Sequence, residues 1–203
     1  MTRLAAFAIA VLLVGCKPTT STMNTQSSWM PEPPKSLSAD FYRSHARFED
    51  VDTAMWTFLC DLIPDGPQPY GDRTAEMLKS ISPELRRYYL TRDFDWERGS
   101  GGLESCLMRE PENDVLFLND TIKAYESLGA HKHAAIIREL IPISQKRWKQ
   151  IHAADASGQE FNYDDGLWDP YEERWDEASK EFDFYEIIWK DIRAHPERYT
   201  HTR

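Results

Sequence analysis

The chain has 203 residues, with 34 acidic and 24 basic side chains, a net charge of −10 and a mean hydropathy of −0.62. Direct binding of nucleic acid is excluded by this balance, because phosphate binding needs clustered lysine and arginine. A basic protein partner remains compatible with it. Hydrophobic residues make up 41% and aromatic residues 12% of the chain, which is typical of a folded protein and not of a disordered one.

The first sixteen residues, MTRLAAFAIAVLLVGC, have the pattern of an export signal. Arg3 supplies a positive start, residues 4–14 are apolar, and the small Gly15 precedes Cys16. The apolar run is too short to span a bilayer as a stable helix. We therefore expect residues 1–15 to be a lipoprotein signal peptide and Cys16 to be acylated after cleavage. The alternative is an ordinary signal peptide with a coincidental cysteine.

Residues 16–36 predict a disordered tether. They are rich in Thr, Ser and Pro and lack apolar periodicity, so they cannot bury enough surface to order themselves. Lys17 stands where an Asp would favour retention in the inner membrane of a Gram-negative envelope. We therefore expect a lipid anchor in the cell envelope, in the outer membrane on its periplasmic side if the host is Gram-negative. Residues 37–203 form the expected single domain.

The first half of this domain predicts three helices. Apolar residues recur at three- and four-residue steps over 38–62, and a proline-rich loop follows. A short helix is expected over 72–81. Ser82 is the N-cap of a third helix and Pro83 its first residue. This helix is expected to stop at the glycine-rich stretch 99–102, which a turn accommodates easily.

The second half is helical as well. A periodic segment over 114–128 ends at Gly129, a typical C-terminal cap. Helices over 134–140 and 143–153 are expected to be separated or kinked at Pro142. No alternating strand pattern of useful length appears. The sequence therefore predicts an all-α fold, a compact array of antiparallel helices arranged as helical hairpins.

The last predicted element is a long acidic helix with an aromatic face. Asp169 is expected as its N-cap and Pro170 as its first residue, with Glu172 reaching back as in a capping box. It is either one helix or two, with a break near residues 182–184. Its apolar stripe is expected to be core. The stripe consists of Trp168, Tyr171, Trp175, Ala178, Phe182, Tyr185, Trp189 and Ile192.

Acidic residues concentrate at this end of the chain. Residues 160–191 hold twelve acidic and three basic side chains. One interpretation is a docking surface for a basic partner, and the other is a solvated face that only keeps the protein soluble. The candidate partner-binding residues are Asp164, Asp165, Asp169, Glu172, Glu173, Asp176 and Glu177.

Other chemistry-bearing motifs are weak. Cys60 and Cys106 are either a disulfide pair in an oxidising compartment or two buried thiols. His131 and His133 have no third ligand at a suitable spacing, so we expect them on a surface turn and predict no metal site. No catalytic residue and no cofactor are predicted, and the protein is expected not to be an enzyme.

One segment carries a family resemblance. Residues 94–104, FDWERGSGGLE, resemble the W-E-x-x-N-G-G-F-x-Q signature of a bacterial all-helical domain family of largely unknown function, whose best-known member is a DNA-mimic protein. Residues 124–137 are similar to a helix pair of that family, and 192–199 to its last helix. Ser100 replaces the usual Asn and Leu103 the usual Phe.

The resemblance implies an all-helical fold with surface carboxylates that imitate phosphates. Within the motif, Trp96, Glu97, Gly101 and Gly102 are expected to determine the fold, with the glycines in a tight turn and Trp96 anchoring that turn from the core. The export signal argues against a cytosolic transcription factor as the partner.

The leading functional hypothesis is a membrane-anchored, non-enzymatic lipoprotein that masks a basic partner, either a toxin or a DNA-binding-type protein, with its acidic surface. The alternative is a structural envelope scaffold with no charge-based ligand. A third hypothesis, an unrecognised hydrolase, would require a concave pocket with convergent polar groups.

Overall fold

Helices dominate the computed structural model, which describes residues 31–62, 72–107, 111–161 and 166–202. The predicted all-α class is confirmed. The α-helices in these ranges are α1 (Ala39–Ser44), α2 (Phe48–Leu62), α3 (Asp72–Ser80), α4 (Pro83–Leu107), α5 (Pro111–Ser127), α6 (His131–Ser157), α7 (Asp169–Glu181) and α8 (Phe184–Ala194). A short 3-10 helix, Pro196–Tyr199, follows α8. The predicted signal peptide and Cys16 lie outside the described residues.

Several helices begin or end at the residues that the capping pattern of the sequence predicts. The Ser82 hydroxyl accepts a hydrogen bond from the Leu85 amide at 3.2 Å, and Pro83 begins α4. Gly129 follows α5 with a φ of +84°, and the Ala130 amide then donates to the Tyr125 carbonyl at 2.9 Å. Such a left-handed residue after a helix is a common helix stop.

Two predicted helix boundaries are wrong. The segment expected as one helix over 38–62 is divided, because His45 is extended (φ −97°, ψ 128°) between α1 and α2. Conversely, a separation of two helices at Pro142, one of the two predicted alternatives, is wrong, because α6 runs as one helix across the proline. Leu140 and Ile151 are buried on either side of the proline, so tertiary packing offsets the lost backbone hydrogen bond.

A two-residue strand pair joins the ends of the folded unit. Ser36–Leu37 (β1) pairs antiparallel with His201–Thr202 (β2). Leu37 is buried, and the Tyr42 hydroxyl of α1 donates to the Tyr199 carbonyl at 2.7 Å. The sequence places Ser36 in the tether, but it pairs with Thr202 in this sheet.

The helices pack around an aromatic centre. Helix α5 lies against α4 and α6, and α7 lies against α6 and α4. The three-residue connection between α5 and α6 is typical of a helical hairpin. The Phe94 ring of α4 stacks on the Trp175 ring of α7 with 5.3 Å between centroids, and meets the Tyr125 ring edge-on. The end of the chain that holds the candidate site is therefore fixed to this centre.

The long C-terminal helix is two helices. Phe182 is extended (φ −141°, ψ 101°), and the Asp183 side chain caps α8 by accepting from the Glu186 amide at 2.9 Å. Of the two predicted alternatives, the break is correct. Acidic character is confined to the first of the two helices, because α7 has six acidic and two basic residues, while α8 has two of each.

Candidate partner-binding surface and adjacent cavity

The family motif forms a kink in α4. Gly101 (φ −152°) and Gly102 (φ +72°, ψ −173°) are non-helical, and Leu103 is fully buried directly after them. The conformation of Gly102 is accessible essentially to glycine alone. A Cβ added there would also lie 2.7 Å from Glu172 Oε1. The predicted turn at the glycines is therefore a kink that brings the backbone against α7.

Glu172 and Arg98 hold this kink to α7. The Glu172 carboxylate accepts a hydrogen bond from the Leu103 amide, which the kink exposes. Arg98 Nε donates to Glu172 Oε2 at 3.1 Å, and its Nη2 donates to Asp176. The sequence predicted that Glu172 caps its own helix and that Asp169 is the N-cap. Both predictions are wrong, because the N-cap position is Trp168, which makes no side-chain cap bond.

Trp96 does not anchor the motif from the core. Its side chain is 44% exposed, with the Arg92 guanidinium 5.6 Å from the ring centroid. The buried aromatic is Phe94, two residues earlier, which lies one helical step beyond the buried Leu90. Glu97 has a local role, since its Oε2 accepts a hydrogen bond from the Ser105 hydroxyl at 3.1 Å across the kink.

The candidate partner-binding carboxylates differ in their surroundings. Asp164 and Asp165 lie outside the described residues. Glu172 is half-buried, whereas Asp169, Glu173, Asp176 and Glu177 are exposed.

Some of this charge is already neutralised by basic neighbours. Glu177 forms an ion pair with Lys180 at 2.7 Å, which lowers the pKa of the Glu177 carboxyl. Arg98 engages Glu172 and Asp176. Asp169 and Glu173 make no ion pair with any other residue in the described ranges. These two carboxylates are therefore the ones whose charge is most available to a partner.

A cavity of about 340 Å³ lies at the α7–α8 junction. Five aromatic side chains, a histidine and three charged side chains contribute to its lining, from α4, α5, α6 and both sides of the break. The aromatic and charged ones are Tyr125, Trp175, Phe182, Phe184, Tyr185, Asp95, Arg98 and Asp183. The volume lies at the lower end of the range for small-molecule sites, which begins at about 300 Å³.

His133 is part of this cavity and not of a surface turn, contrary to the sequence prediction. It is 4% exposed, stacks parallel to the Tyr125 ring at 5.7 Å and meets the Trp175 ring edge-on at 4.6 Å. Burial lowers its pKa to about 4, with a smaller contribution from Arg98, so the imidazole is neutral at pH 7.

The hydrogen bonds around His133 define its tautomer. The Ser179 hydroxyl donates its single hydrogen to the Trp175 carbonyl at 2.9 Å. His133 Nε2 lies 3.1 Å from the same hydroxyl oxygen and must therefore donate to it. In a neutral imidazole, Nδ1 is then an acceptor, and it is buried with no hydrogen-bond partner in the described part of the chain.

The Tyr125 hydroxyl is a second unpaired group in the cavity lining. The side chain is 1% exposed, and its hydroxyl has no hydrogen-bond partner among the described residues. Burial raises its pKa well above the usual value, and the neighbouring Asp95 raises it further, so the phenol is neutral. An unpaired buried hydroxyl is costly, which makes this position unusual for a purely structural core.

The cysteines do not form a disulfide in the structure. Cys60 and Cys106 are separate thiols, and the Cys106 thiol donates to the Phe94 carbonyl at 3.3 Å. Burial raises the pKa of the Cys60 thiol to about 12. Within the described ranges, no group of three His, Cys, Asp or Glu side chains is arranged to hold a metal ion. The same ranges contain no helix with the length and apolar character to cross a bilayer.

Fold and motif together define an all-helical domain whose acidic helix α7 is docked onto a glycine kink. The family model described as DMP19-like protein matches residues 79–200, more than half of the chain. The chain therefore belongs to the DMP19-like protein family, and the resemblance predicted from the sequence is confirmed. Searches of the curated proteins and of the solved structures find no match.

Proposed function

We propose that this protein is a non-enzymatic, lipid-anchored bacterial lipoprotein that binds a basic protein partner through the exposed face of α7. The observation that carries the proposal is the charge of this helix, a net −4 from six acidic and two basic side chains. Surfaces of one sign steer and select partners of the opposite sign. Asp169 and Glu173 supply exposed charge that makes no ion pair with a described residue.

The lipid anchor proposed at the N-terminus determines in which compartment we expect the partner. A lipidated Cys16 holds the domain at the cell envelope, so the partner is an envelope or incoming protein and not a cytosolic transcription factor. A toxin with a cationic active site and a secreted DNA-binding-type protein both have suitable chemistry.

The alternative is a structural envelope scaffold in which the charged face serves only solubility. Ion pairs within the face favour it, because Glu177 is paired with Lys180 and Glu181 with Lys132. Such exposed pairs contribute little binding energy of their own.

The proposed binding is tested by crosslinked affinity capture of the lipidated protein from its own cells. The test variant is Glu173→Lys with Glu177→Lys. The control is Asp40→Lys with Glu186→Lys, which changes the net charge equally at exposed positions on α1 and α8. We expect a basic partner that high salt or the α7 variant removes and the control retains. Capture that neither salt nor the α7 variant alters would refute charge-based binding and favour the scaffold.

The lipid anchor is tested separately with Cys16→Ser and metabolic labelling with a radioactive fatty acid. We expect label and membrane association in the wild-type protein, and neither in the variant. An unlabelled wild-type protein would contradict the lipoprotein assignment and leave the charge-based binding to be decided by the capture experiment.

A further inference from the structure

We propose that the cavity at the α7–α8 junction binds a small organic cation, an ammonium or guanidinium group carried on an apolar body. This site is separate from the outer face of α7 and does not depend on the proposed function.

The charge of the lining favours a cation. Asp95 and Asp183 are its two carboxylates. Asp95 Oδ2 accepts from the Tyr185 hydroxyl at 2.9 Å, and Asp183 Oδ1 accepts from the Glu186 amide. In each carboxylate the second oxygen makes no hydrogen bond with the described residues and is available to a ligand.

Among the described residues of the lining, Arg98 is the one cation, and it does not reverse this balance. Its guanidinium forms ion pairs with Glu172 and Asp176, two carboxylates outside the lining. The charge of Arg98 is thereby more than compensated, and the net charge around the cavity is negative. An anionic ligand would face Asp95 and Asp183, with no uncommitted cation among the described lining residues.

The walls suit an organic cation in particular. Trp175, Phe182, Phe184 and Tyr185 surround the cavity with aromatic surface. The faces of such rings attract cations, and the attraction increases when the cation leaves water. An inorganic cation would need a shell of oxygen ligands, whereas aromatic walls bind an ammonium group together with its hydrocarbon body.

Two unpaired groups indicate that the cavity is equipped for a ligand. The Tyr125 hydroxyl and His133 Nδ1 are both buried without a hydrogen-bond partner in the described ranges. Asp95 raises the pKa of the Tyr125 hydroxyl and Arg98 lowers it, and both residues line the same cavity.

Among the described lining residues, the unused acceptors are His133 Nδ1 and the second oxygens of Asp95 and Asp183. The unused donors are the Tyr125 hydroxyl and the remaining N–H groups of Arg98, whose charge Glu172 and Asp176 already balance. A donor-rich ligand matches this arrangement, and ammonium and guanidinium groups are donors only.

The size of the cavity sets the size of the ligand. A volume of 340 Å³ corresponds to about 11 water molecules at about 30 Å³ each. A body of about ten non-hydrogen atoms fills this space. We therefore choose 2-phenylethylamine, protonated at pH 7, as the probe.

Binding is measured with the full domain by calorimetric titration and by the NMR shifts of the tryptophan indoles and backbone amides. The matched probes are 2-phenylethanol, which is neutral, and 3-phenylpropionate, which is anionic. We expect the amine to bind about tenfold more tightly than the alcohol, because a charge-assisted bond is lost, and the anion not to bind. Equal affinity for amine and alcohol, or no shifts at cavity residues, would overturn the proposal.

Two isosteric variants test the carboxylates without removing their structural roles. Asp95→Asn keeps an acceptor for Tyr185, and Asp183→Asn keeps a good N-cap for α8. We expect each to weaken amine binding by about tenfold, and the exposed control Asp40→Asn to leave it unchanged. Melting temperatures show whether each variant is folded. Folded variants with wild-type affinity would contradict the proposed contacts.

A further arm distinguishes a free ligand from the side chain of a partner. Nα-acetyl-lysine methylamide carries the same ammonium group on a backbone. We expect it to bind more weakly than 2-phenylethylamine, because its body cannot fill the aromatic cavity. Tighter binding of the lysine compound would refute a small-molecule site.

Discussion

Helices α7 and α8 continue the same aromatic stripe but are held in different ways. Helix α8 has balanced charge and buries Phe184, Ile188 and Ile192. Helix α7 is strongly acidic, and its buried side chains are Trp175 and Ala178. Polar contacts with the α4 kink, through Glu172 and Asp176, supplement that smaller apolar surface.

The difference shows that one hydrophobic pattern can serve two purposes. In α8 the stripe fills the core, so the helix is fixed by apolar burial. In α7 most of the helix surface is exposed to solvent, where its carboxylates are accessible to a partner. The break between them leaves aromatic rings around the cavity instead of closing them into the core.

The largest expected effect on stability comes from the apolar side chains that pack α8 against the core. Ile188→Ala removes a fully buried side chain, and we expect it to lower the free energy of unfolding by about 4 kcal/mol because a cavity remains. Urea denaturation measures this. Ile187→Ala, at a half-buried position, is the control and should cost about 1 kcal/mol. Equal losses of unfolding free energy in the two variants would show that the two faces of α8 are not distinguished by their burial.

Next in size is the attachment of α7 at the kink. Gly102→Ala places a side chain at positive φ against Glu172, and we expect a loss of about 3 kcal/mol. The matched control is Gly99→Ala, a helical position with open space around it, which should stabilise by about 0.5 kcal/mol. Thermal unfolding of the two variants gives the comparison. A neutral Gly102→Ala would contradict the described kink.

The third prediction concerns pH and the cavity between the two helices. The pKa of His133 is about 4 in the folded protein, because it is buried, and near 6.5 in the unfolded chain. Between these values the unfolded state binds a proton that the folded state does not, so stability falls as the pH falls from 6.5 to 4. We expect the loss to be about 2 kcal/mol, after allowing for solvent at the cavity mouth.

Urea denaturation at pH 7, 5 and 4 tests this dependence. His133→Gln should remove this part of the pH dependence, while His131→Asn, at an exposed position on the same helix, should retain it. An unchanged pH profile in His133→Gln would show that another group is responsible.

The smallest predicted effect compares two neighbouring carboxylates of α7. Glu172→Gln keeps an acceptor for the Leu103 amide but weakens the contact with Arg98, and we expect a cost of about 1 kcal/mol. Glu173→Gln removes an exposed charge and should leave the melting temperature unchanged. Should both variants melt alike, Glu172 would not hold α7 to the kink.

Much of the fold is predictable from local signals. Ser82, Pro83 and Gly129 mark helix ends through chemistry that acts within a few residues, and the sequence around Asp183 marks the break. The role of Glu172 is not predictable in this way, because its partners Leu103 and Arg98 are about 70 residues away along the chain. Glutamate serves in a capping box and in a long-range contact alike, so the sequence pattern does not distinguish these two roles.

The cavity is not predictable from the sequence for the same reason. It requires four helices and the α7–α8 break to present Asp95, Tyr125, His133, Trp175 and Asp183 to one another. Periodicity shows that Trp175 faces inward but not which rings it meets. The exposure of Trp96 likewise depends on the register of α4 against its neighbours, since Phe94 and Trp96 are only two residues apart.

The pairing of Ser36 with Thr202 has a mechanical consequence. Ser36 and Thr202 lie at the same end of a two-residue antiparallel ladder. A tension applied between them opens the ladder one rung at a time, instead of shearing all of its hydrogen bonds together. The hydrogen bond from the Tyr42 hydroxyl to the Tyr199 carbonyl ties α1 to the segment just before β2. We therefore expect a force applied between Ser36 and Thr202 to open the domain first at this edge.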